Sequence, residues 1–268
     1  VTAELLEQAG VSPKRKFGQN FVVDANITAK IARLAGVAGG DLVLEIGPGL
    51  GALTEALLEA GARVTALEID EALVEILRSR AELDAADIVL GDALEADLVA
   101  LTGQVEGPWS CVANLPYNVA TPLVLRILED VPSIRRLLVM VQSEVADRLV
   151  AGPRDAAYGG VSVRVAYHAT ASIVGKVPPS VFYPRPRVDS ALVAIERRAV
   201  VKIDPEVASE DEIFAIVKTA FAQRRKMLRR SLAGVVDEAA FAAAGVAPTA
   251  RPEELDVDAF ASLAAAIR

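Results

Sequence analysis

The chain has 268 residues, 53% of them hydrophobic, with a net charge of −8, one cysteine and one histidine. That apolar content supports a sizeable core and excludes a disordered chain. No apolar run approaches the ~20 residues that a membrane-spanning helix needs. The single cysteine excludes an internal disulfide, and a cytoplasmic setting is expected.

In chain order, VTAELLEQAG at the start is acidic and helix-like. It lacks the basic and apolar regions of a secretory signal. PKRK follows at 13–16, a dense run of positive charge. From Asp41 to about Gln142, short apolar runs alternate with helical patterns. The strands are predicted at LVLEI (42–46), RVTALEI (63–69), DIVL (87–90), WSCVA (109–113) and RLLVMVQ (136–142). GALTEALLEAG and EALVEILRSRAEL supply helices between them. The alternation predicts an α/β fold, a doubly wound parallel sheet with helices on both faces. Trp109 and Cys111 fall in a strand and are expected in the core.

SIVGKV (172–177) and SALVAIERR (190–198) flank the proline-rich PPSVFYPRPRVD, and read as a terminal hairpin or excursion at the sheet edge. From Asp211 the pattern is helical only, through EIFAIVKTAFAQRRKMLRRSLAG, DEAAFAAAG and DVDAFASLAAAI. The division is therefore placed between an α/β domain over 1–200, where a catalytic site is to be sought, and a small helical domain over 201–268, whose cationic run makes RNA binding the expectation. No acid occurs between 213 and 230, where QRRKMLRR lies. The acidic net charge argues against a nucleic-acid partner, but local patches decide what a phosphate backbone meets. Lys14, Arg15, Lys16, Arg224, Arg225 and Lys226 are the expected phosphate contacts.

LEIGPGLGALT (44–54) joins the first strong strand to a helix. Gly47, Gly49 and Gly51 permit a tight turn and close backbone approach to a ligand. The spacing is G-x-G-x-G, unlike the G-x-G-x-x-G of dinucleotide sites, and Glu45 beside it suits a cationic ligand better than a phosphate. Glu68 lies 21 residues after Gly47, at the spacing of an acid that accepts ribose hydroxyls. Asp92 ends the next strand, where it can accept from an adenine amine. The two acids point to an adenosine, present in both NAD and S-adenosylmethionine.

NLPYN (114–118) follows the next strand and so faces the same crevice. An aromatic amine is a poor nucleophile. The Asn114 side-chain oxygen and the Leu115 carbonyl can accept from its two N–H groups and favour pyramidalisation. Pro116 stiffens the turn, and Tyr117 can stack on the ring. This is methyl-acceptor chemistry and selects S-adenosylmethionine over NAD. Phe182, with Tyr183, is expected to close the other face of the base. Arg185 and Arg187 either contact phosphates or are solvated. One Cys and one His (His168) cannot form a zinc deaminase site, and no metal is expected.

FGQNF, EIGPGLGALT, LEID, GDAL, NLPYN, VFYPRPRVDS and FAQRRKML, in that order, resemble the small-subunit ribosomal RNA adenine dimethyltransferases, the KsgA/RsmA family. The resemblance implies a class I methyltransferase Rossmann-like fold with a small C-terminal helical domain. It implies dimethylation of two adjacent adenosines near the 3′ end of 16S rRNA in the small ribosomal subunit. Gln19, Asn20 and Val22 carry over as cofactor contacts, with Gly47, Glu68, Asp92 and Asn114 at the remaining positions. A monomer is expected. The net acidity departs from relatives that are often more basic. Two other readings stand beside it: the drug-resistance methyltransferases of large-subunit rRNA, and a non-catalytic assembly factor. LVAGPRDAAYGGVSV and the VDS ending resemble the small-subunit side.

Overall fold

The structure is a computed structural model and describes residues 12–14 and 17–267. VTAELLEQAG, Arg15 and Lys16 lie outside the described residues. The chain divides into two compact units, one of 1–146 and 172–197, the other of 147–171 and 198–268. The second unit thus takes in 147–171 as well as the helical C-terminus, unlike the division at 200/201.

The first unit is built on a mixed sheet. Its strands are β2 (Leu42–Ile46), β3 (Arg63–Glu68), β4 (Asp87–Leu90), β5 (Trp109–Asn114), β6 (Ile134–Gln142), β7 (Ala169–Val177) and β9 (Ser190–Arg197). A two-residue strand, β1 (Phe21–Val22), pairs antiparallel with β8 (Phe182–Tyr183) outside that sheet. The sheet order is β4-β3-β2-β5-β6-β9-β7. The neighbours from β4 to β6 run parallel, and β9 runs antiparallel to β6. The expected excursion at the sheet edge is therefore present. Strand order reverses between β2 and β5, a topological switch point, where open α/β sheets bind ligands beyond their strand C-termini.

Burial explains the pattern. All five residues of β2 are buried, as a central strand covered on both faces requires. Helix α1 (Ala25–Ala35) is capped by Asp24 and ended by Gly36 at φ 65. Helices α2 (Ala52–Glu59), α3 (Glu71–Arg78) and α4 (Leu98–Gly103) follow β2, β3 and β4. Helix α5 (Ala120–Asp130) buries Leu123, Val124, Ile127 and Leu128 completely, one stripe at helical spacing. Each such side chain stabilises by roughly 1.5–3 kcal/mol relative to exposure. Trp109 and Cys111 are buried as expected, and burial pushes the Cys111 thiol up to about 12, so it is inert. Helix α6 (Ser143–Val150) follows β6.

The second unit contains α7 (Gly160–His168), α8 (Glu210–Ala222), α9 (Leu228–Ser231), α10 (Glu238–Ala244) and α11 (Val257–Ala266). Ser209 and Glu212 form a capping box on α8. Tyr158, Tyr167, Phe241 and Phe260 lie in its apolar core. His168 packs edge-on against Tyr167 in this unit. The helical run expected over 212–234 is broken. The chain turns after Ala222, and the Leu228 and Arg229 N–H groups donate to the Ala250 and Pro248 carbonyls. Those acceptors satisfy the N-terminal donors of α9 and pull it out of line with α8. Arg224, Arg225 and Lys226 consequently sit in the turn between α8 and α9, while Arg229 and Arg230 fall in α9.

Candidate active site

Three strand ends are held in one frame. The Gly47 N–H donates to the Leu67 carbonyl, and the Gly91 N–H to the Glu68 carbonyl. These bonds extend the sheet ladder past the strands and fix where the glycine loop, Glu68 and Asp92 begin. Beyond them lies a cavity of about 320 Å³. It falls in the usual range of small-molecule sites, about 300–1,000 Å³. Gln19, Asn20, Val22, Gly47, Gly49, Glu68, Asp92, Asn114, Leu115, Pro116 and Tyr117 all line it.

The glycine loop needs its glycines. Gly49 has φ 61, and a Cβ there would stand 2.9 Å from the Phe21 ring. Gly51 has φ 83, and its Cβ would fall 2.4 Å from Leu83. Gly47 and Gly49 therefore bring loop backbone to the cavity wall, beside Pro48 and Leu50, while Gly51 keeps the turn packed against the core. The Glu68 carboxylate is buried and accepts from the Gly49 N–H at 3.1 Å and from the Ile69 and Asp70 N–H groups at 3.0 Å each. Burial raises its pKa, partly offset by those three bonds. A carboxylate has about four acceptor positions, so one remains beyond these three. Asp92 is tied through one oxygen to the Leu94 N–H at 2.8 Å. Glu45 lies at the cavity floor, 2.7 Å from the Thr54 hydroxyl. Burial pushes its carboxyl up to about 8 despite the Thr54 bond, and Glu68 adds to the rise. Backbone without Cβ atoms beside two buried carboxyl groups fits an uncharged ribose and a cationic sulfonium, the groups S-adenosylmethionine carries.

The segment 17–22 crosses the cavity. Gly18, at φ 63, approaches NLPYN so closely that a Cβ would stand 3.0 Å from the Asn118 side-chain oxygen. The Asn114 side-chain N–H donates to the Asn20 carbonyl at 3.0 Å. That bond uses the nitrogen side of the amide and leaves its oxygen as the acceptor. The Leu115 N–H donates to the Met140 carbonyl at 3.1 Å, and the Pro116 carbonyl accepts from Val119 and Ala120 to start α5. The Tyr117 and Ser190 hydroxyls share a hydrogen bond of 2.9 Å. Burial raises the Tyr117 pKa, so the phenol is neutral.

Several expected residues do other work. The Gln19 side chain donates to Asp70 at 3.1 Å and accepts from the Lys14 N–H at 2.7 Å. The Lys14 ammonium lies 2.6 Å from Asp70, so it fastens this segment and does not present a free charge to phosphate. Burial pushes the Asp70 carboxyl up, but the bonds from Lys14 and Gln19 outweigh it and hold it below the usual range. Phe182 is packed in the core beside Val22 and does not line the cavity. Residues of a strand alternate in direction, so Tyr183 is the one exposed. Arg224 donates to the Ala156 carbonyl at 2.8 Å and lies 3.9 Å from Glu253, which ties it to its own chain. Arg225 and Lys226 are exposed, as are Arg185 and Arg187.

Sequence reasoning missed Asp70, Asn20 as a backbone acceptor, and Ser190. The first is the last letter of LEID and the third the last letter of VDS, and an N-cap or strand start is the ordinary reading of each. Only the fold shows what their side chains reach.

A switch-point cavity with a glycine wall, two buried acids and an oriented amide defines a Rossmann-like methyltransferase. The family model of ribosomal RNA adenine dimethylase matches residues 10–268, and the chain belongs to that family. The chain is 48% identical to the ribosomal RNA small subunit methyltransferase A of Kineococcus radiotolerans, over 98% of this chain and 88% of that one. It is 47% identical to the protein of the same name from Leifsonia xyli subsp. xyli, over 98% and 95%. Among solved structures it is similar to the 23S rRNA methyltransferase ErmE, with TM-score 0.71 and 27% identity, covering 92% of this chain and 99% of that one. A dimethyladenosine transferase from Plasmodium falciparum shares the fold, with TM-score 0.73 and 24% identity over 91% of this chain and 95% of that one. Family membership implies S-adenosylmethionine as methyl donor and ribosomal RNA as substrate. No helix among the described residues is long and apolar enough to cross a membrane.

Proposed function

We propose that this chain acts in the cytoplasm, as a monomer, on the small ribosomal subunit. It methylates the exocyclic amines of two adjacent adenosines near the 3′ end of 16S rRNA to N6,N6-dimethyladenosine. The observation that carries the reading is the Asn114 amide, whose N–H is engaged by the Asn20 carbonyl so that its oxygen is the free acceptor.

When bound, S-adenosylmethionine supplies an electrophilic methyl group. Gly47, Gly49, Glu68, Asp92, Asn20 and Val22 would hold it, with Glu68 toward the ribose and Asp92 toward the adenine amine. The target adenosine leaves its stack to reach the crevice. Its two N–H groups donate to the Asn114 side-chain oxygen and the Leu115 carbonyl, which align the lone pair and draw it out of the ring. The Tyr117 ring stacks on the base. No strong base is required, because the amine nitrogen becomes acidic once alkylated. Rate enhancement comes from orientation and from acceptors already in place.

The 45–48% identity to small-subunit methyltransferases, against 27% to ErmE, favours the small subunit over the large. Incubation with labelled S-adenosylmethionine and undermethylated small subunits, followed by nucleoside mapping, tests this. Dimethyladenosine at two neighbouring positions is expected, with the monomethyl form as an intermediate. Label only in large-subunit rRNA, or monomethyladenosine alone at long times, overturns it.

A further inference from the structure

Ser190 is completely buried at the start of β9, and its hydroxyl meets the Tyr117 hydroxyl at 2.9 Å. Neither hydroxyl has another hydrogen-bond partner among the described residues. A buried strand position tolerates alanine as well as serine, so the hydroxyl here serves the tyrosine. The place of Ser190 is rigid. Its backbone pairs with Gln142 of β6, and the Asp189 carbonyl before it accepts from both the N–H and the hydroxyl of Ser143, at 3.0 and 3.1 Å. Strand β6 also anchors the other end of the turn, since Asn114 pairs with Met140 and the Leu115 N–H donates to the Met140 carbonyl. The turn 114–117 is thus held at both ends by one rigid ribbon, at Leu115 through backbone and at Tyr117 through the side-chain bond.

We infer that Ser190 is a positioning residue for methyl transfer, fixing the Tyr117 ring so that its face meets the target base at a set place. The inference rests on the reading of Tyr117 as the base-stacking residue. A tyrosine ring held only by its own two side-chain torsions can swing at the mouth of the site. One tied at its far end cannot. The second methyl transfer depends on this more than the first. After one methylation the amine keeps a single N–H, so one of the two acceptors at Asn114 and Leu115 is lost to it. Stacking then carries a larger share of the alignment.

The test uses the full-length enzyme on undermethylated small subunits, with Ser190→Ala, Tyr117→Phe, the double variant and Tyr117→Ala. Each of the first two should slow the second transfer about threefold to tenfold, the range for one uncharged hydrogen bond, and the first transfer less. Monomethyladenosine should therefore accumulate. The double variant should be no slower than either single one, because both remove the same bond. Affinity for S-adenosylmethionine should be unchanged, which separates this effect from a general loosening of the fold. Multiplied losses in the double variant, or an unchanged ratio of monomethyl to dimethyl product, overturn the inference. Should Ser190→Ala fail to fold, Tyr117→Phe reports on the same bond from its other side. Tyr117→Ala distinguishes the two levels. A severe loss there with an unaffected Ser190→Ala removes Ser190 alone. Full activity of Tyr117→Ala removes the stacking reading and Ser190 with it.

Discussion

In the sheet unit, Lys14 lies 2.6 Å from the buried Asp70 carboxylate, Gln19 bridges the same carboxylate, and Asn20 engages Asn114. In the helical unit, Arg225, Lys226, Arg229 and Arg230 are exposed, with no acid in ion-pair range among the described residues. Both stretches are dense in positive charge or polar groups. One spends them on its own chain and becomes part of a built site. The other leaves them to solvent, where a phosphate backbone can release counterions from them. The difference lies in what surrounds each stretch: a buried carboxylate at the end of β3 in the first case, a turn forced between α8 and α9 in the second. A run of like charge in a sequence does not by itself say which of the two it is.

The strongest way to break the tied side is at its catalytic end. Asn114→Ala removes the acceptor that the Asn20 carbonyl orients. Turnover on undermethylated subunits should fall by about 10²–10³, the scale for losing one preorganised polar partner. A loss of less than threefold in single-turnover kinetics would remove Asn114 from the chemistry.

The second test concerns what buried polarity costs the tied side. Burial makes Glu45 hold its proton to about 8 in the fold, against an ordinary glutamate value of 4.5. Between those values the unfolded chain has released a proton that the folded chain keeps. Stability from this group is therefore greatest below about 4.5 and falls as pH rises toward 8, at up to ~1.4 kcal/mol per pH unit and a few kcal/mol in all. Glu68, also raised, acts in the same direction. Glu45→Gln keeps a partner for Thr54 and cannot ionise. Its advantage over the parent chain in denaturant melts should grow from pH 5 to pH 8. Parallel curves over that range would show that Glu45 ionises freely.

Much of this arrangement was readable in the sequence. The β2 and β4 strands lie where LVLEI and DIVL predicted them, because short runs of branched apolar residues between turn residues leave little choice. Glu68, Asp92 and Asn114 all line one cavity because each lies at or just past the C-terminus of a parallel strand, and parallel strands end together. What could not be read is tertiary. Phe182 has the composition of a base-stacking residue, but its direction depends on the pairing of β8 with β1, which no local pattern sets. The break after Ala222 depends on the Pro248 and Ala250 carbonyls, far along the chain from the Arg229 and Leu228 N–H groups that they accept from. Lys14 reads as a phosphate contact until the carboxylate it meets, 56 residues away, is known.

The third test unties the covering segment while sparing the helix beneath it. Asp70 caps α3 by accepting from the Ala72 N–H. Asp70→Ser retains a good N-cap, so the melting temperature should change little. It removes the bonds to Lys14 and Gln19 that hold the segment across the cavity. Charge-assisted bonds contribute about 1.5–3 kcal/mol, but Lys14 is partly exposed and its share is screened. Affinity for S-adenosylmethionine should fall about tenfold, chiefly through faster release. Calorimetry giving an unchanged affinity would mean that the segment stays closed without its anchor, and that the tie to Asn114 suffices.

The smallest effect is expected on the untied side, and it is diagnostic because of its form. Arg225, Lys226, Arg229 and Arg230 are exposed and make no side-chain hydrogen bond among the described residues, so reversing Arg225 and Lys226 to glutamate should leave folding and cofactor affinity intact. If they meet RNA phosphates, each loss reduces the dependence of log affinity on log salt by about 0.7–0.9. At fixed physiological salt this amounts to a several-fold loss of subunit affinity, equal across RNA sequences, since phosphate contacts carry no base information. Arg224→Glu should behave differently. Its guanidinium donates to the Ala156 carbonyl and lies beside Glu253, so reversal places two acids together and should lower the melting temperature with little change in salt slope. A salt slope that responds to Arg224 and not to Arg225 and Lys226 would invert the assignment: the tied cation would be the RNA contact, and the exposed ones a solvated face.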